Sequence, residues 1–279
     1  MNNSHEQKVE AFYSCGAKNR SCEAEGFLSF GYWNRDTKEY YDAAQNLVNF
    51  FLNESNIERP AKVLDVACGY GAESFRFFEA IKPEKMYCVD ITKVHIDTAK
   101  RKAEEKQLQE KILFEKKDAC RTDYPDNFFS HIMGIEGPAH FRTRLDFFHE
   151  CYRLLETKGK LILTDIIFDP LMSKKTLLLN KITEFGAQRW HMPKENWISS
   201  EEYCNQLRKI GFRVEKIFKI GDKVFPAFAA YNTRLKSILR AVKTRGLFIG
   251  IGLSIISWLL GYGYRHGVID YIFVKAEKI

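Results

Sequence analysis

The stretch "VLDVACGYGAES", Val63 to Ser74, decides how this chain is read. A strand-like apolar run turns at Gly69 and Gly71 into the helical pattern "AESFRFFEAI". Glycine at such a turn permits positive φ and lets a ligand approach the backbone. Nicotinamide-binding folds use a Gly-x-Gly pair too, and two details separate the readings. Ser74 stands where GxGxxG would have its third glycine, and Asp65 lies four residues before Gly69 at the strand end. A carboxylate there repels a pyrophosphate and suits a ligand with a positive group, such as an amino-acid ammonium.

Working outward, "MYCVDI" is a second strand whose Asp90 falls 19 residues after Gly71, which suits an acceptor for ribose hydroxyls. "ILFEKKDA" leads to Asp118, whose carboxylate can accept from an adenine amino group while the next backbone N–H, on Ala119, meets a ring nitrogen. Acidic residues after three successive strands match a ligand with ammonium, ribose and adenine parts. That set exceeds what tight turns alone require.

The remaining pattern agrees. "EYYDAAQNLVNFFLNE" and "HIDTAKRKAEEKQL" have helical spacing, and "HIMGIE" is a fourth strand. "RLDFFHECYRLLE" is a helix closed by Gly159, and "KLILTDIIF" a fifth strand. After Pro170 the pattern loosens, then Ser199 with Glu202 forms a capping box and Gly211 stops a helix. "FRVEKIFKI" and "GVIDYIFVKAEK" are the sixth and seventh strands. Alternating strands and helices predict an α/β, doubly wound, Rossmann-like sheet.

From roughly residue 27 to 275 the chain resembles the class I S-adenosylmethionine-dependent methyltransferases. "VLDVACGYG" looks like their first motif, "CVDIT" their second, "KKDAC" the adenine-side motif, and "FFHECYRLLETKGKLILTDI" their helix and fifth strand. The usual Pro-Gly-Gly turn is here Thr157-Lys158-Gly159. "FGYWNRDT" looks like the cap of members that methylate terpenoids, tocopherols, glycosides or amines. The resemblance implies a seven-stranded sheet with strand seven antiparallel between strands five and six. It implies S-adenosyl-L-methionine as cofactor, contacted by Asp65, Ala67, Gly69, Gly71, Asp90, Ile91, Asp118 and Ala119, with Tyr32 and Trp33 closing over it. Residues 1–58 would be N-terminal cap helices and 59–279 the methyltransferase domain, with lid segments 170–198 and 223–266.

For catalysis, His140 follows the fourth strand at the mouth where such sheets bind ligands, and an imidazole there could take a proton from a hydroxyl or amine. A structural histidine at a helix start is the competing reading. Glu136 is a second candidate at the mouth, or else a hydrogen-bond partner of backbone or cofactor. His191 is a second candidate histidine, with a surface residue in an irregular segment as the competing reading. Tyr32 and Trp33 could equally pack the N-terminal arm on the core, while Phe12, Tyr13, Phe27 and Phe30 help form a lid. Carbon methylation of a prenyl chain would instead draw on Glu136, Glu184 or the lid aromatics to stabilise a cation.

The 279 residues are 45% hydrophobic, enough for a full core. Net charge is +7, but no Lys/Arg run with interleaved aromatics appears, which argues against nucleic acid. Seven scattered cysteines without zinc-ligand spacing argue for reduced thiols in a cytoplasmic setting and against a metal site.

"GLFIGIGLSIISWLLGYGY", Gly246 to Tyr264, is long and apolar enough to suggest a membrane span. A single crossing would leave strand seven on the wrong side, and the glycines weaken a regular helix. A buried lid over an apolar pocket is the expectation, with peripheral membrane contact through 234–264 as a related option. The chain thus reads as a methyltransferase for a small, lipophilic acceptor. A nicotinamide-dependent oxidoreductase and a noncatalytic membrane-associated binding protein are the alternatives.

Overall fold

The computed structural model describes residues 4–14, 23–57, 61–168 and 191–279. At its centre β1 (Lys62–Val66) runs parallel to β2 (Lys85–Asp90) on one side and β4 (Phe129–Ile135) on the other. Strand β3 (Ile112–Lys116) extends the sheet beside β2, and β5 (Leu155–Phe168) beside β4. Strand β7 (Ile269–Lys278) lies antiparallel between β5 and β6 (Phe212–Lys219), giving the order β3-β2-β1-β4-β5-β7-β6. Parallel strands are covered on both faces, which is why Val63, Leu64, Val66, Ile132 and Met133 are all apolar and buried. Strand order reverses between β1 and β4, and such switch points open a crevice at the carboxyl ends of the strands.

The helices are α1 (His5–Ser14), α2 (Tyr40–Ser55), α3 (Ala72–Ile81), α4 (Lys93–Glu105), α5 (Arg144–Leu154), α6 (Ser200–Ile210), α7 (Gly221–Asn232), α8 (Leu235–Arg245) and α9 (Leu247–Arg265). Helix α2 buries Ala43, Ala44, Leu47, Val48 and Phe51, and Phe51 packs against Phe77 of α3 and Phe273 of β7. Thr143 and Asp146 form a reciprocal capping box at the start of α5. The Ser199 hydroxyl accepts from the Glu202 N–H at 3.3 Å, the forward half of the box expected there, and Gly211 closes α6 at φ 120°.

Three expectations need correction. Gly159 does not close α5: that helix ends at Leu154, and Gly159 lies within β5. Leu155 pairs with Phe129 and Lys160 with His131, so the intervening residues bulge out of register. The Gly246–Tyr264 stretch is a regular helix despite its glycines. A Cβ on Gly250 would meet the Val242 nitrogen at 2.5 Å, and one on Gly261 the Ala229 Cβ at 2.6 Å. The glycines therefore let α9 lie against α8 and α7. Third, α9 is not a buried lid, because its large apolar side chains Leu247, Phe248, Ile251, Ile255 and Trp258 are exposed. Of the other expected lid segment, residues 170–190, Glu184 among them, lie outside the described residues.

Candidate active site

The loop after β1 is built from residues with positive φ: Ala67 (55°), Gly69 (52°) and Gly71 (78°). Asp90, at the end of β2, fastens it. One carboxylate oxygen accepts from the Gly69 N–H at 2.9 Å and the other from the Thr92 N–H at 2.7 Å. Burial alone would raise this carboxyl, but the His95 ring and the N–H donors of Thr92 and Gly69 outweigh it and hold the group below its ordinary range. Asp65 is buried and accepts from the Ser74 hydroxyl at 2.5 Å, so the residue replacing a third glycine is the partner of this carboxyl. Burial pushes Asp65 up to about 8 even so.

A cavity of about 790 Å³ opens over this loop. Asp65, Ala67, Gly69, Asp90, Ile91, Asp118 and Ala119 all line it, as do Glu136 and His140. Asp118 accepts from the Cys120 N–H at 2.9 Å, and burial raises its carboxyl. Glu73 and Glu136 also face the cavity, raised by burial to about 7 and about 8. The wall contributed by α8 and α9 is mixed: Phe248, Ile249, Leu253 and Ile256 from α9 and Ala241 from α8 are apolar, and Ser237, Arg240 and Arg245 of α8 are polar or basic.

His140 ends a 3-10 turn, Pro138–His140, that follows β4. Its Nε2 lies 3.1 Å from the Tyr13 hydroxyl of α1, and its carbonyl 2.8 Å from Nε2 of His5. Buried Asn196 clamps the turn, its Nδ2 donating to the carbonyls of Phe141 (2.7 Å), Ala139 (3.1 Å) and Pro138 (3.3 Å). The Arg144 N–H in turn donates to Asn196 Oδ1 at 2.8 Å. The Arg144 guanidinium, buried, pairs with Asp165 of β5 at 2.8 Å.

Not every expected residue reaches the cavity. Tyr32 stacks on Phe50, centroids 4.8 Å apart. Trp33 is buried in the core, its Nε1 donating to the Phe30 carbonyl at 2.9 Å. Both pack the arm against the body, so the cofactor placement is corrected to the packing one; Phe12, Tyr13, Phe27 and Phe30 line the cavity instead. Gly71 is not in the wall either: it is the left-handed N-cap of α3. Glu136 Oε1 is engaged by the Phe30 N–H and the Tyr271 hydroxyl, each at 2.8 Å, which ties the arm to β4 and β7. His191 lies edge-on to Phe12, at 5.7 Å between centroids.

Sequence reasoning missed His95, Asn196 and the Tyr13–His140 pair. His95 is 2% exposed, lines the cavity and stacks near Tyr70, with Nδ1 3.3 Å from Asp90 but not aligned for a hydrogen bond. Among the described residues neither ring nitrogen has a hydrogen-bond partner. A buried imidazole with no aligned hydrogen bond, 3.3 Å from the Asp90 carboxylate in a cavity wall, can still engage a polar ligand. With the carboxyls of Asp65, Asp90 and Asp118 it fits a cationic nucleoside.

Comparison with known proteins agrees with this geometry. The family described as "Methyltransferase domain" matches residues 63–159. The chain is 28% identical, over 80% of its length and 74% of the relative's, to the erythromycin 3''-O-methyltransferase of Saccharopolyspora erythraea. It is 21% identical, over 76% and 75%, to the 27-O-demethylrifamycin SV methyltransferase of Amycolatopsis mediterranei. The cyclopropane synthase MmaA2 of Mycobacterium tuberculosis superposes with a TM-score of 0.82 at 16% identity, covering 99% of both chains. Residues 63–159 thus match a methyltransferase domain, and the fold is that of the class I S-adenosylmethionine-dependent methyltransferases.

Proposed function

We propose that this enzyme transfers a methyl group from S-adenosylmethionine to a hydroxyl of a bulky, lipophilic acceptor. The observation that carries this reading is one continuous cavity, carboxyl-lined at the glycine loop, lined at α8 and α9 by apolar side chains together with Arg240 and Arg245, and with His140 in its wall. Its volume, about 790 Å³, lies toward the upper end of the roughly 300–1,000 Å³ typical of ligand sites, as a site for two ligands requires. The O-methylation named for the erythromycin and rifamycin relatives supports the choice of atom.

When bound, S-adenosylmethionine supplies an electrophilic methyl group on a sulfonium sulfur. Asp90 and His95 would hold the ribose, Asp118 and the Ala119 N–H the adenine, and Asp65, Ala67 and Gly69 the amino-acid end. Phe12, Phe27, Phe30 and Phe228 line the same cavity and exclude water. His140 Nε2 would accept the proton of the acceptor hydroxyl as that oxygen is methylated, the Tyr13 hydroxyl, 3.1 Å from Nε2, relaying it. Glu136 serves as the anchor of the arm, not as a base. The enzyme's contribution is orientation and electrostatics.

The test is incubation with S-adenosylmethionine and a panel of hydroxylated macrolides, polyketides and terpenoid alcohols, read by mass spectrometry and by NMR of the methylated atom. A methyl ether that disappears with His140→Ala supports the proposal. A new carbon–methyl bond, or turnover indifferent to His140, sinks it.

A further inference from the structure

Residues 234–265 hold six basic side chains and no acidic one: Arg234, Lys236, Arg240, Lys243, Arg245 and Arg265. Within this segment α9 is inverted relative to a helix of a water-soluble surface. Its buried positions are the small residues Gly250, Ser254, Ser257, Gly261 and Gly263. Large residues that do not line the cavity are exposed, Leu247 at 56%, Ile255 at 54% and Trp258 at 48%, beside Leu235 (71%) and Leu239 (59%) of α8, while exposed Phe248 borders the cavity. Of ten exposed large hydrophobics among the described residues, eight lie between positions 235 and 258. So concentrated an apolar patch marks an interaction surface.

Two features identify what covers it. The patch is rimmed by exposed Lys236, Lys243 and Arg265, a cationic border that complements an anionic surface. And the patch cannot be a transmembrane segment, because β6 and β7 fix both ends of the insert in one sheet. An apolar face with a basic rim, held on one side of its domain, is the geometry of a helix lying in a bilayer interface. The inner side of the same two helices lines the cavity through Ala241, Ile249, Leu253 and Ile256.

We propose that α8 and α9 dock the enzyme on an anionic lipid bilayer and that a lipophilic acceptor passes from the bilayer into the cavity beneath them. The second half rests on the acceptor reading given above; the docking half stands on the surface itself. The route spares an apolar acceptor a passage through water.

The experiment is cosedimentation of the full chain with vesicles of phosphatidylcholine alone or with 30% phosphatidylglycerol. Binding should be at least about tenfold stronger to the anionic vesicles and weaken with added salt, since screening acts on exposed charge. Lys236→Gln with Lys243→Gln should abolish the preference. Leu239→Ser, Ile251→Ser and Ile255→Ser together should release the protein from both vesicles while leaving turnover of a water-soluble acceptor unchanged, as none of the three lines the cavity. Absence of wild-type binding, or binding unaltered in both variants, overturns the docking face. So does a stable dimer that the serine variant dissociates, for a second copy would then cover the patch. Vesicle binding by a protein that transfers no methyl group upholds the docking face and counts against the proposed function alone.

Discussion

The hydroxyl of Tyr13, on the first helix, stands 3.1 Å from Nε2 of His140, although 127 residues separate them. Helix α1 is thereby latched onto the turn that carries His140. Under the proposed mechanism, the ordering of α1 and the alignment of the imidazole would be coupled.

His140→Ala should lower kcat by about 10²–10⁴-fold and leave S-adenosylmethionine affinity nearly intact. Tyr13→Phe should lower kcat by about tenfold or more through the lost relay. Steady-state kinetics, with calorimetry for the cofactor, checks both; a Tyr13→Phe enzyme with wild-type kcat would remove the relay.

At the ribose end, Asp90→Ala should weaken S-adenosylmethionine by about 1–3 kcal/mol, because charge-assisted hydrogen bonds are lost. It should also lower thermal stability, since Asp90 holds the Gly69 and Thr92 N–H groups. His95→Phe should weaken the cofactor, because the ring lines the cavity, and should also lower the melting temperature of the ligand-free protein, because the ring 3.3 Å from Asp90 helps hold that carboxyl ionised. Unchanged cofactor affinity in His95→Phe would exclude this ring from the site.

Three buried carboxyls set a pH dependence. Asp65 and Glu136 are raised to about 8 and Glu73 to about 7, all by burial. A folded-state value above the unfolded one gives stability that is complete below the unfolded value, near pH 4, and is lost as pH rises through 7 to 8. The melting temperature of the ligand-free protein should therefore fall across that window. A cationic ligand favours the ionised carboxyls, so binding should release protons and tighten as pH rises. Calorimetry in two buffers of different ionisation enthalpy measures the release; a value of zero would exclude the coupling.

Asn196→Leu should unclamp the Pro138–Phe141 turn. The expected signature is a fall in kcat with a smaller change in cofactor affinity, since Asn196 touches the turn and not the cavity. Gly261→Leu should instead destabilise by about 1–3 kcal/mol or more, as the new side chain is forced into Ala229. Thermal denaturation separates the two, and an Asn196→Leu enzyme with full kcat would show that the turn holds without its clamp.

What could be read from the chain followed local rules. The glycine loop and Asp90 after β2 each carry a short-range signature of spacing, and each stands where expected; the antiparallel place of β7 is implied by the family resemblance and is also observed. Contacts made only on folding carry none. Tyr13 and His140 meet across the whole N-terminal half, and His95 reads as one more residue of a charged helix until its burial is seen. Tyr32 and Trp33 show the converse: an aromatic pair looks the same in sequence whether it covers a ligand or an arm. The glycines of α9 lower helix propensity, yet close packing on Val242 and Ala229 overrides it.

The place of β7 has a consequence for how the chain acquires its shape during synthesis. Among the described residues β6 pairs with β7 alone, so there it has no sheet partner until 221–265 and then β7 have left the ribosome. In that interval the nascent sheet ends at β5, whose outer edge is bare, and an exposed β-edge invites pairing with another chain. Closing so long a loop is slow relative to local helix formation. The helical insert should therefore form first, with β6 and β7 gaining protection together in one late step, which pulsed hydrogen exchange during refolding would resolve. The nascent chain would be most exposed to aggregation, and most in need of a chaperone, just before its seventh strand arrives.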